Sequence, residues 1–202
     1  VAEAIAGCDL MATAVGARVL PHIAPLIARG LKLRFERGME DLNLLVCENL
    51  ADAGKVFSSL LKQQLNPAEQ AAFDSTIGVV ETSIGRMIPI QTEQMRGDDP
   101  LRMSVEEYSF LPADGDAFKG TPPELPGLVP APSFSFYLKR KLYLHNMSHA
   151  VCAYLGMYLG KTYIWEAMQL PEVELMTRLA MSESVSALSK KFSAPAWELG
   201  SH

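Results

Sequence analysis

The segment Leu42–Asn49, LNLLVCEN, constrains this chain most. It is a continuous apolar run, short enough for a strand covered on both faces. The surrounding sequence offers the cover. Residues 1–7 read as the tail of a helix, and Asp9–Gly16, DLMATAVG, as a short β-prone run ending in glycine. From Leu20 to Arg37 the apolar residues Leu20, Ile23, Leu26, Ile27, Leu31 and Leu33 recur at helical spacing, and Gly38 stops the pattern. After LNLLVCEN comes a helical stretch, ADAGKVFSSLLKQQL, closed by Asn66-Pro67. STIGVVETSIGRMIPI then reads as further strand, and VEEYSF at 105–110 as another. This order of strands and helices predicts a parallel sheet with covering helices.

Residues 111–132 change character. Six prolines (Pro112, Pro122, Pro123, Pro126, Pro130 and Pro132) crowd together with Gly115, Gly120 and Gly127. Such a stretch is expected to be neither helix nor central strand, and so to connect two parts. Beyond it, FSFYLKRKLYLHNMSHAVCAYLGMYLG carries a long helical pattern. Two further helices are expected, at Tyr163–Met168 and Pro171–Phe192. The second opens on Glu172 and Glu174 and closes on Lys190 and Lys191, which suits the helix dipole.

Composition excludes several classes of function. The 202 residues are 49 % apolar and 20 % charged, an ordinary globular balance that leaves room for one or two domains. A net charge of −5 argues against nucleic acid as a general partner. No stretch of about 20 apolar residues could span a membrane. Cys8, Cys47 and Cys152 are odd in number and lack CxxC spacing, so they read as free thiols of a reducing, cytoplasmic compartment. The sequence contains no GxG pair, and therefore no dinucleotide fingerprint, and no P-loop, GxSxG elbow, HExxH or EF-hand loop.

Three places could carry chemistry. In KLYLHNMSH, α-helical indexing sets Lys141 and His149 about 80° apart with His145 between them, and Asn146 about 60° beyond His149. An amine, an amide and an imidazole thus project from one side of an apolar helix. An ammonium there loses hydration, which lowers its pKa and fits it for general-base work. On spacing alone the favoured reading is a solvated Lys139–Arg140–Lys141 patch with partly buried histidines; a His145/His149 metal pair is the least favoured, because no acidic residue stands nearby on that helix to complete it. In CENL, Asn49 stands at a strand's carboxyl end, where α/β sheets bind ligands, and also suits a helix N-cap with Asp52 three residues on. In TAVG, Thr13–Gly16, glycine permits close approach of a ligand, or a plain turn.

Taken in order, DLMATAVG, LPHIAPLIARGL, LNLLVCENL, GRMIP and KLYLHNMSHAVCAYLG resemble the polyol-specific long-chain dehydrogenase/reductase family. The most specific element is Lys-x4-Asn-x2-His, met by Lys141, Asn146 and His149. The resemblance implies a metal-independent oxidoreductase that interconverts mannitol 1-phosphate and fructose 6-phosphate with NAD, or a relative acting on an unphosphorylated polyol or a hexuronate. It implies Lys141 as general base, Asn49 and Asn146 as ligands of the reacting oxygen, and His149 as substrate-orienting. Thr13, Val15, Gly16 and Asn49 would lie along the cofactor, and Arg86 would reach the phosphate. Some relatives carry Asp before that arginine, where this sequence has Gly85.

The fold then expected is α/β, the later part of a Rossmann-type domain over 1–110, a connection over 111–131, and the start of an all-α domain over 132–202. Helix dominates overall. The opening VAEAIAGCDLMATAVG reads like the middle of a protein. The chain is therefore expected to be a central segment that binds NAD poorly by itself, exposes apolar helical surface and self-associates through it. A non-catalytic helical binding module is the reading from a different class.

Overall fold

A computed structural model describes residues 1–200, so the last two residues of the expected helical domain, Ser201 and His202, lie outside the described residues. The chain divides into two compact units, the first from Val1 to Phe134 and the second from Ser135 onward.

The first unit is built on a parallel sheet of β1 (Leu10–Thr13), β2 (Leu42–Val46) and β3 (Ile77–Glu81), in that order, with β2 in the centre. The connections are helical: α1 (Ala2–Gly7) precedes β1, α2 (Leu20–Glu36) joins β1 to β2, and α3 (Ala53–Lys62) and α4 (Pro67–Thr76) join β2 to β3. All five β2 residues are buried. Leu42, Leu44 and Val46 pack with Leu31, Phe57, Leu61 and Phe73 of the helices. Leu45 instead joins Val80 and Ala113 in a separate apolar cluster. Alternation along one strand thus feeds two cores, as burial on both faces demands.

The second face is covered by the Pro/Gly-rich segment. No central strand was expected in this connection, and it holds two short edge strands: β4 (Leu111–Asp114) and β5 (Leu128–Ala131) pair in parallel as a separate two-stranded sheet. A two-stranded sheet has only edges, which is where proline is tolerated. Asn43 ties this cover to β2, accepting the Lys119 N–H at 2.8 Å and donating to the Lys119 carbonyl at 3.0 Å. Gly78 stands beside Asn43 in the register, and a Cβ there would meet Asn43 Oδ1 at 2.2 Å and the Ala117 carbonyl oxygen at 2.8 Å.

Other expectations shift locally. Asn66 does not simply end a helix; its side chain accepts the Glu69 N–H and the Glu69 carboxylate accepts the Asn66 N–H, so a capping box starts α4. That helix takes Ser75 and Thr76 from the expected strand, which shrinks to Ile77–Glu81. Residues 105–110 form no strand, and a one-turn helix, α5 (Glu93–Arg96), precedes them. The N-cap of α3 is Asp52, in the left-handed region at φ 52°, and not Asn49.

The second unit is helical. α6 (Phe134–Arg140) runs into a π-helical turn, Lys141–Asn146, and on into α7 (Met147–Tyr158). α8 (Ile164–Ala167), α9 (Pro171–Phe192) and α10 (Ala196–Gly200) follow. Phe136, Leu144, Leu188 and Leu199 form one core, and Cys152, Ala167 and Val173 another. A Cβ on Gly156 would come within 2.5 Å of the Ala167 Cβ, so this glycine lets α7 and α8 meet.

Gly78→Ala should cost about 1–3 kcal/mol through overpacking against Asn43 and the cover. Gly7→Ala, with no atom within 4 Å of the new methyl, serves as its control in urea denaturation. Equal midpoints for the two variants would refute this account of the covered face.

Candidate active site

In the first unit the ligand-facing end of a parallel sheet is the carboxyl end of its strands. β1 and β2 end there in Thr13 and Val46, and the segments after them carry TAVG and CEN. Thr13 is buried, and its hydroxyl is sealed without a hydrogen-bond partner. Val15, Gly16 and Asn49 are exposed. Gly16 adopts φ 91°, and a Cβ there would meet nothing within 4 Å. This turn fits a flat, neutral group lying against it. Its N–H groups are not open to a phosphate, because Glu48 accepts both of them. The residues present therefore fit part of a dinucleotide, the remainder of which calls for a glycine fingerprint that this sequence lacks.

Sequence reasoning passed over Glu48, and also Glu81, whose Oε1 is sealed with no partner at the end of β3. Burial pushes the Glu81 carboxyl up from the usual range. A charged residue inside an apolar run was the available signal for both. Burial likewise raises the Cys47 thiol, so this cysteine is not an activated nucleophile.

Arg86 lies on the first unit, exposed, at a cleft of about 400 Å³ lined by Ile84, Gly85, Tyr108, Phe110 and Leu128. Its Nε donates to the Tyr108 carbonyl. A Cβ on Gly85 would lie 3.0 Å from the Tyr108 ring, so glycine here makes room for the tyrosine.

In the second unit the basic run is not a solvated patch. Arg140 is buried, its guanidinium 5.5 Å from the Phe136 ring centre and 5.1 Å from that of Tyr137. The Lys139 ammonium lies 5.7 Å from the Tyr143 ring centre. Lys141 is half-buried, and loss of hydration lowers its amine below the ordinary 10.5.

The π turn revises the helical indexing. Met147 N–H donates to the Leu142 carbonyl, five residues back. In an α-helix Lys141 and Asn146 would point about 140° apart. An i→i+5 turn draws residues five apart toward one face. Asn146 therefore joins the Lys141 side more closely than its sequence spacing foretells.

His149 Nδ1 donates to the His145 carbonyl at 2.8 Å, which leaves Nε2 as the acceptor of the neutral ring. The His145 and His149 rings are in contact, 4.7 Å between centres. Among the described residues no group of three or more His, Cys, Asp or Glu clusters to hold a metal ion.

Fold and site together define an α/β unit of Rossmann type followed by a helical unit with a Lys–Asn–His helix. The mannitol dehydrogenase Rossmann domain matches residues 1–127, and the mannitol dehydrogenase C-terminal domain matches 134–199; the chain belongs to the mannitol dehydrogenase family. It is 34 % identical to mannitol-1-phosphate 5-dehydrogenase of Lacticaseibacillus casei (strain BL23) over 193 residues, which are 95 % of this chain and 49 % of that protein. The enzyme of the same name from Lacticaseibacillus paracasei (strain ATCC 334) matches with the same identity and coverage. The chain thus spans about half the length of these relatives. Among solved structures it is similar to the ternary complex of Pseudomonas fluorescens mannitol 2-dehydrogenase with NAD and D-mannitol. That match has a TM-score of 0.73 at 17 % identity and covers 89 % of this chain and 45 % of the other. A substrate-free D-sorbitol dehydrogenase gives a TM-score of 0.73 at 14 % identity, covering 93 % and 51 %.

The Lys141 amine should titrate below 10.5. Reductive ¹³C-methylation followed by an NMR pH titration, with the peak assigned through Lys141→Arg, measures it directly. A midpoint at or above that value would remove the desolvated amine.

Proposed function

We propose that this chain carries the catalytic helix and part of the cofactor site of an NAD-dependent dehydrogenase that interconverts mannitol 1-phosphate and fructose 6-phosphate. The observation behind this is the half-buried Lys141 amine in a π turn, its pKa lowered by desolvation. When bound, NAD supplies the acceptor for the hydride leaving the carbinol carbon. Lys141 Nζ takes the hydroxyl proton as that C–O bond becomes C=O, and returns it in the reverse direction. Asn146, turned toward Lys141, donates an amide N–H to the oxygen as charge builds on it. His149 Nε2, made an acceptor by the Nδ1 bond, takes a neighbouring substrate hydroxyl. Asn49, Val15 and Gly16 are the first unit's ligand-facing groups, with Thr13 beneath them. No step is assigned to a metal.

Phosphate specificity draws on the 34 % identity to two enzymes named for mannitol 1-phosphate. Arg86, exposed on the first unit, is the cation this reading gives to that group. The free thiols of Cys8, Cys47 and Cys152 support a cytoplasmic home. Among the described residues no helix is long and apolar enough to cross a membrane. The exposed side chains of Tyr154, Met157, Tyr158, Leu175, Met176 and Leu179 support self-association.

In the natural polypeptide that carries this sequence, Lys141→Ala should lower kcat about 10²–10⁴-fold. The unfolding midpoint should stay close to that of the parent. Turnover in the parent should favour mannitol 1-phosphate over mannitol and fructuronate. Preference for an unphosphorylated substrate would reject the phosphate reading. Near-normal turnover of the alanine variant would reject Lys141 as base. No turnover of any substrate by the parent would favour a binding module.

A further inference from the structure

Glu48 stands between Cys47 and Asn49 and is 5 % exposed. A carboxylate sealed this far from water is tolerated only where donors replace its hydration. Here the donors are two successive backbone N–H groups. Val15 N–H reaches Oε1 at 2.9 Å and Gly16 N–H reaches Oε2 at 2.8 Å. Both oxygens are used, in charge-assisted bonds. Successive N–H groups at a positive-φ glycine form a small anion-binding concavity, and Gly16 has φ 91°. The protein fills that concavity with its own side chain.

Two consequences follow from the geometry. The turn after β1 is tied to the loop after β2, one residue from Asn49. The turn also has no N–H pair to give to a phosphate. What it presents outward is the Val15 side chain, 44 % exposed, and the open space over Gly16. Such a surface suits an uncharged, flat group.

We propose that Glu48 is a positioning residue that locks the Val15–Gly16 turn to the Asn49 loop, and that the locked turn receives the uncharged nicotinamide-riboside portion of the dinucleotide and not its phosphates. This rests on the dinucleotide-dependent reading of the preceding subsection.

The test uses the natural polypeptide as parent, Glu48→Gln, and Leu61→Ala as a control that opens the core without touching the clamp. Equilibrium titrations measure the Kd of NAD and of ADP-ribose, which keeps both phosphates and lacks nicotinamide. Glu48→Gln keeps the side chain's size but sets an amide N–H against a backbone N–H. It should weaken NAD about tenfold, leave ADP-ribose within about twofold, and speed amide exchange at Val15 and Gly16. Leu61→Ala should lower the unfolding midpoint and leave NAD affinity alone. Unchanged NAD affinity in Glu48→Gln would overturn the positioning role. Equal weakening of NAD and ADP-ribose would overturn the assignment of the turn to the nicotinamide end. Equal weakening of NAD by Leu61→Ala would reduce Glu48 to a stability residue and overturn the inference. If the parent itself binds no NAD, the functional reading falls and this inference falls with it. Binding by the parent together with an indifferent Glu48 variant removes the inference alone.

Discussion

Burial of β2 on both faces is the constraint from which the first unit follows. A three-stranded parallel sheet has no solvent-tolerant side when its central strand reads Leu-Asn-Leu-Leu-Val. The helices cover one face because parallel strands need crossovers, and the crossovers here are amphipathic. Among the described residues the opposite face has no crossover helix, and the proline-rich segment covers it instead. Proline is an asset in that role: it fixes the backbone of an irregular cover that repeats no sheet ladder across its whole width. Asn43 is the one polar residue in β2, and it is the residue that grips the cover.

The same constraint decides where chemistry can sit. Side faces of the sheet are occupied, so the strand ends are what remains, and the turns after β1 and β2 supply exposed groups at the carboxyl ends. In the helical unit the analogous device is a defect in regular winding. A π turn costs regular i→i+4 hydrogen bonds and gains a changed facing of side chains. Lys141 opens the turn and Asn146 closes it, which is the placement that alters their relation most.

The elements with strong period or strong punctuation were legible in the sequence. The helix Pro171–Phe192 has its bounds written in a proline at the start and paired charges at both ends. β2 was legible from its apolar run, which Asn43 alone interrupts. The start of α4 was missed because Asn66-Pro67 was read as a stop, whereas the same pair, with Glu69 two residues after the proline, is also a start. The two short strands in the proline-rich segment were missed because their stability comes from pairing and from the face they cover, and local pattern carries neither. Of the site, Lys141, Asn146 and His149 were legible as a spacing. Their true facing was not, since nothing in KLYLHN announces a switch from i→i+4 to i→i+5 bonding.

The buried charges separate by how each is compensated. Arg34, 1 % exposed, donates to the carbonyls of Ala6, Cys8, Glu40 and Asp41, so its charge brackets the entry to β1 and the entry to β2. Glu48 is the anionic counterpart, its two oxygens matched by two backbone donors at the other end of the same strands. A charge answered by fixed backbone donors or acceptors serves as a fastener. Lys141 differs in kind. It is half-buried, and loss of hydration lowers its pKa, the direction that suits a proton-exchanging amine. The contrast sets the bracing side chains Arg34 and Glu48, each held by backbone hydrogen bonds, apart from Lys141, the residue proposed above as the base.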